Sequence, residues 1–373
     1  MMPTNPFMVS CETSNPYADQ IKSFFSQQFP SATALSSRDR LEMLTEVILS
    51  SKPNRFGPRP SPEGIVSILE VIRNSIHFGR PIPFMVPWRS EKPDGSGPDV
   101  AELMALKQME RLHLEIKRVY LPGAEFAIRI EDASAPYLLI ENQAAASAAA
   151  RHYTGQLCKM INIANAASKF RFIRSRPESV FVSEDVFSME AEKFRPDIEE
   201  ALNLYRTRND GRQEAERLLE GIGWTGGIRE ETRHWYESQY QKLYPGMQQS
   251  MQTHILARYF ASAVARRTLG IRGDYPEWGG SFIDLTFAAP IPGTQEHFGR
   301  RVHYRTLPLS VSSAHMPPWR AKGYLQVETG DEDCRVRVRL ASFNSIPEGL
   351  VSSTVQVTYP GEESLELPAD YLV

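Results

Sequence analysis

The chain has 373 residues, 41% of them hydrophobic and 23% charged, which excludes wholesale disorder and leaves room for a large core. Lys and Arg number 42 against 45 Asp and Glu, a formal charge of −3, so the basic excess of a general nucleic-acid coat is missing. Cys11, Cys158 and Cys334 are scattered without a C-x-x-C pair, which excludes a disulfide framework or zinc knuckle and makes a reducing interior the expected setting.

Residues 1–16 read as a polar arm, with no basic segment leading into an apolar run as in a secretory signal. No stretch reaches the roughly 18 consecutive apolar residues of a membrane helix. The expectation is a cytoplasmic protein with neither membrane nor nucleic acid as partner; homo-oligomerisation is left open. Prolines, 27 against 23 glycines, cluster at 53–62, 81–98 and 290–318 and mark edges and loops.

Apolar residues recur at helical spacing over 17–29, over 38–49 (Leu41, Leu44, Ile48, Leu49) and over 63–77 (Ile65, Ile68, Leu69, Ile72). Residues 82–86, I-P-F-M-V, suit a buried strand, with Pro83 placing its first half near a sheet edge. After a Pro/Gly/Ser-rich loop, Asp99 followed by Glu102 forms a capping-box-like helix start. Ala105, Met109, Leu112, Ile116 and Val119 then step by fours and threes along one face, with Lys107, Glu110, Arg111 and Arg118 mostly elsewhere. Pro122-Gly123 ends that helix, and residues 125–131 alternate as a strand. Strand, loop, helix and strand in this order make a βαβ unit and a parallel sheet. Ligand sites in such sheets lie beyond the strands' carboxyl ends, here 87–99 and 132–136.

Residues 142–164 are alanine-rich and expected to be helical, 179–182 to form a short strand, and 186–270 to be mostly helical with a Gly-rich break at 221–227. Beyond residue 281 the pattern turns to strands, at 282–287, 301–306, 323–327, 335–340 and 354–359.

The 87–99 loop brings Arg89 and Lys92 near a helix N-terminus, a combination that can hold a phosphate or carboxylate. The same spacing is met by a solvated loop in which Glu91 and Asp94 pair with those cations, and Asp99 would repel an anion. Glu131 and Asp132, then Glu184 and Asp185, fall at expected strand ends, where carboxylates serve as acids or bases or are simply solvated. His303, Arg305 and His315 lie in the late proline-punctuated region and can meet a ligand there, or be surface or core residues. Arg335, Arg337 and Arg339 share one strand face, either an anion-binding face or a guard against edge pairing. No metal signature, G-x-G-x-x-G, P-loop or G-x-S-x-G elbow is present, and neither metal nor cofactor is expected.

One run of residues carries a resemblance. Pro81-Ile82-Pro83-Phe84-Met85-Val86-Pro87, then Gly97-Pro98-Asp99-Val100-Ala101-Glu102-Leu103-Met104-Ala105-Leu106, then Val119-Tyr120-Leu121-Pro122-Gly123-Ala124 resemble the pyoverdine/dityrosine biosynthesis family, whose best-known members are isonitrile synthases. Echoes follow at Tyr153, Glu178-Ser179, Phe187 and Pro318-Trp319. The resemblance implies a Rossmann-like α/β fold: a mostly parallel sheet flanked by helices, with a helical middle segment and a β-rich C-terminal part. Its expected divisions are an N-terminal arm and helices (1–62), a core with a helical insertion (63–280) and a β-rich part packed on it (281–373).

It also implies condensation of an amino acid's α-amine with the ketone of ribulose 5-phosphate, or a similar phosphosugar, through an imine to an isonitrile. Such chemistry needs cations for phosphate and carboxylate, and general acids and bases. On this reading Arg89, Lys92, Trp88, Arg305 and Arg320 bind substrate, and Glu131, Asp132, Asp185, His303 and His315 are the acid–base set. The chain departs from the family where Pro87-Trp88-Arg89-Ser90-Glu91-Lys92 replaces F-P-A-K-S and Glu131-Asp132-Ala133-Ser134 replaces S-D-G. Leu285-Thr286-Phe287-Ala288 lacks the histidine of S-I-H-P, and Arg320 follows Trp319 where the family has histidine. A different amino-acid-modifying reaction without ribulose 5-phosphate, or ligand binding without catalysis, is the alternative.

Overall fold

A computed structural model describes residues 37–49, 55–56, 60–90, 92, 95–138, 143–168, 172–207, 211–224, 233–234, 237–238, 246–271, 281–288, 301–304, 317–329 and 334–342, with the backbone alone at 37, 55–56, 167, 207, 324–329 and 334–342. The helix expected over 17–29 and the strand expected over 354–359 lie outside the described residues.

In chain order the elements are α1 (Ser37–Leu49), β1 (Arg55–Phe56), α2 (Pro62–Phe78), β2 (Ile82–Trp88), α3 (Val100–Val119), β3 (Ala124–Ile130), α4 (Ala135–Leu138) and α5 (Gln143–Ser168). There follow β4 (Ile173–Pro177), α6 (Glu184–Thr207), α7 (Gly211–Gly221), α8 (Gln249–Thr268), β5 (Ile283–Thr286), β6 (Arg301–Tyr304), β7 (Ala321–Thr329) and β8 (Cys334–Ser342). Six strands form one sheet in the order β1-β6-β5-β2-β3-β4, parallel except for β1; β7 and β8 form a separate antiparallel ribbon. The chain is thus an α/β protein with a mostly parallel sheet, as its sequence pattern predicts. β5 and β6, although they follow residue 280, belong to the same sheet as β2 to β4. No helix among the described residues is long and apolar enough to cross a membrane.

Alternation divides the two faces of the sheet. Phe84, Val86, Trp88, Phe126, Ile128, Ile130 and Leu285 join a core with Leu44, Ile68, Met104, Leu157 and Ile161 from the helices. Met85 and Ala127 lie on the other face and pack with Phe282. A second core joins α4, α6, α7 and α8 through Tyr137, Phe187, Ile198, Leu219, Leu256 and Phe260. This helical lobe is entered from the carboxyl ends of β3 and β4.

Three local readings of the sequence are corrected. β2 is central rather than near an edge despite Pro83 and Pro87. The amide of Ile82 donates to Gly123 O at 2.9 Å, so alternate residues bond toward β3, and the two prolines point toward β5. The β5 ladder covers only Phe84 and Met85, so neither proline interrupts a hydrogen bond. The strand expected over 179–182 lies instead at Ile173–Pro177, where Arg174 and Arg176 mask the apolar signal on an edge strand. Helix α3 is buried on both sides rather than along one stripe, and Lys107 pairs with Glu110 at 2.5 Å within the structure.

Candidate functional site at the carboxyl edge of the sheet

Register brings the site together. Trp88 pairs with Ile130, and Ile130 with Pro177, so the residues that follow (Arg89, Glu131 and Glu178) leave neighbouring strands at one level. The amide of Glu131 donates to Trp88 O at 2.8 Å and holds that level. From the helical lobe, Arg266 of α8 donates through Nε to Glu178 Oε1 at 2.7 Å and places a second nitrogen 3.1 Å from Glu131 Oε2. Arg266 also donates to Ser134 Oγ, while Ser134 donates to Glu178 Oε2 at 2.7 Å. Arg129 of β3 donates to the other oxygen of Glu131 at 3.2 Å.

Burial alone would raise the Glu131 carboxyl, but Arg266, Arg129 and Arg89 together outweigh it and hold Glu131 below the ordinary carboxylate range. Burial likewise opposes the charge of Arg266, and the carboxylates of Glu131 and Glu178 overcome it, raising the guanidinium above its usual value. The cluster is a network in which Arg89, Arg129 and Arg266 act on Glu131, with Glu178 held by Arg266. Parallel sheets present ligands to this edge.

The other residues expected in the site are placed differently. Lys92 is fully buried, 2.6 Å from Asp99 Oδ2 and 2.8 Å from Glu102 Oε2, and donates to Ala321 O at 2.9 Å. An ammonium has three N–H groups. All are engaged, so Lys92 is a structural cation rather than an anion binder. Trp88 is corrected in the same way: its indole N–H donates to Tyr153 Oη at 3.0 Å, and its ring packs edge-on against Phe287 and Trp319 inside the core. Tyr153 in turn donates to Glu102 Oε1 at 2.7 Å. Burial pushes Glu102 up to about 8, against the lowering effect of Lys92.

Asp132 is buried and accepts from the Ser179 amide at 2.9 Å and the Ser179 hydroxyl at 2.5 Å. Burial raises its carboxyl although both Ser179 bonds work against that rise. Asp185 is exposed in the first turn of α6 and does not join the cluster; its neighbour Glu184 pairs with Ser147 and Arg151. His303 is buried and donates from Nδ1 to Ala288 O at 3.0 Å. It shares the Met85 face with Arg129, but the two lie three strand spacings apart, about 14 Å, and do not meet. Arg320 is exposed in the 3-10 turn Pro318–Arg320. Arg305 and His315 lie outside the described residues.

Sequence reasoning missed Arg129, Ser134 and Arg266, and met Glu178 only as part of the family echo. Arg129 carried a signal: an arginine inside the apolar run A-E-F-A-I-R-I demands a buried partner. Arg266 carried none, because its partners lie 88 and more positions away. Among the described residues no group of His, Cys, Asp or Glu could hold a metal ion.

Fold and site together define an α/β protein with a charged cluster at the carboxyl edge of its parallel sheet. No family model matches the sequence, and no curated protein matches it. Among solved structures the chain is similar to the PvcA protein from Pseudomonas aeruginosa, at 19% identity over 81% of this chain and 92% of that chain, with a TM-score of 0.46.

Proposed function

We propose that the chain is a biosynthetic enzyme of the isonitrile synthase type, acting on the α-amine of an amino acid. Ribulose 5-phosphate, or a similar phosphosugar, is the co-substrate in this reading. The observation that carries it is the gathering of Arg89, Arg129 and Arg266 around Glu131 at the carboxyl edge of β2, β3 and β4, where an anionic substrate group would meet guanidinium donors. The motif resemblance over residues 81–124 supplies the reaction class.

Two carboxyls divide the acid–base work. Glu131 sits among arginines that lower its proton affinity, so it stays ionised and orients the cations. Asp132 is raised by burial and is the better proton carrier of the two. The test supplies a panel of amino acids with ribulose 5-phosphate labelled at C2 and follows the label by mass spectrometry. Label on a nitrogen-containing product is the expected result. Binding of the phosphosugar without turnover favours a ligand-binding protein, and absence of binding overturns the reading.

A further inference from the structure

The two arginines on Glu131 are unequally served. Arg266 gives Nε to Glu178 and a second nitrogen to both Glu131 and Ser134, and its guanidinium lies over the Phe187 ring at 5.8 Å. Arg129 has far less. Of the five N–H groups a guanidinium carries, Glu131 Oε1 takes one, at 3.2 Å. Its Nε faces Glu178 Oε1 at 4.0 Å, beyond hydrogen-bond reach, and is shielded from solvent with no acceptor. The side chain is only 10% exposed.

A buried cation with so few acceptors is costly, and folded proteins seldom leave one in that state. The neighbouring charges do not resolve it, because Arg266 and Arg89 also act on Glu131. Position adds a second argument. Arg129 is the penultimate residue of β3, on the face opposite the main core and one residue pair below the edge where Arg89 and Glu131 emerge.

We propose that Arg129 is the anion-binding residue of this edge, its remaining N–H groups taking two oxygens of a substrate carboxylate or phosphate. This rests on the carboxyl edge being the substrate site. A planar fork suits such a group better than the point charge of Lys92, which the protein uses up internally.

Calorimetric titration of the full chain with inorganic phosphate and, separately, with glycine distinguishes the two sources of the anion. Saturable binding of one probe is expected, weakened about tenfold in Arg129→Lys, which keeps the charge and loses the fork. Circular dichroism establishes that the variant is folded. In the wild-type protein the bound probe should also slow phenylglyoxal modification of Arg129, read by peptide mass spectrometry, a result that needs no variant. Failure of both probes to bind, or equal affinity in Arg129→Lys with no protection of Arg129, overturns the inference. Isonitrile formation that survives such a failure leaves the proposed reaction standing, and Arg129-dependent binding without label transfer does the reverse.

Discussion

The Glu102 carboxyl is raised further than its position in the helix start would suggest. Lys92 meets two carboxylates, Asp99 and Glu102, and only one negative charge is needed to balance it. Asp99 keeps partial contact with solvent while Glu102 has none, so Glu102 is the carboxyl raised, to about 8. A folded-state value above the unfolded one contributes stability that is complete below the ordinary value of 4.5 and is lost as pH rises toward about 8. Unfolding free energy should therefore decline between those limits by at most about 1.4 kcal/mol per pH unit. Glu102→Gln, neutral at every pH, should flatten that slope; urea titrations from pH 5 to 9 measure it, and an unchanged slope would assign the effect elsewhere. The sequence showed Asp99 and Glu102 as a capping box, and the structure has both of its bonds. It could not show Lys92 beside them, because burial of a loop lysine is decided by Ala321, 229 positions away.

Single elements are held at close approaches that only glycine permits. Gly123, in the turn between α3 and β3, has φ of 70°, and an added Cβ would stand 2.7 Å from His113 Cε1. That ring cannot retreat: its Nδ1 donates to Ala124 O at 2.7 Å, and it packs on Phe172 with centroids 5.3 Å apart. Gly123→Ala combines left-handed strain with a clash in a packed core and should cost about 2 to 4 kcal/mol, measurable by chemical denaturation. Gly323 of β7 is constrained differently, since its Cβ would lie 2.7 Å from the Ala101 amide nitrogen. Gly323→Ala should push β7 from the start of α3, draw Ala321 O away from Lys92, and lower the melting temperature by several degrees. The helix pattern and its Pro-Gly stop were legible because they are local. The central place of β2 was not, since it depends on which neighbour each proline faces, and neither was β4, whose arginines are tolerated because no strand among the described residues pairs beyond it.

At the scale of the whole molecule, the sheet and the helical lobe have separate cores, joined by the ion network of Arg266, Glu178, Ser134, Glu131 and Arg129. Glu131 titrates with the opposite sign to Glu102. Its folded value is depressed, so its contribution is present above the ordinary carboxylate value and is lost as pH falls through the lower one. Acid should thus loosen the junction between sheet and lobe, while base loosens the clasp around Lys92, and stability should peak between the two. Arg266→Met removes the cation that α8 supplies and leaves Glu178 and Glu131 buried beside Arg129 and Arg89. Breaking such a network from one side should cost about 3 to 5 kcal/mol. Hydrogen exchange would show where: the amides of α6 and α8 should lose protection while those of β2 and β3 keep it, because the apolar core under the strands is untouched. Equal loss in all four elements would mean that lobe and sheet unfold as one unit. The double variant Arg266→Met/Glu178→Gln should recover part of the loss, since it removes a carboxylate along with its cation, and that recovery separates a charge effect from the mere absence of a long side chain.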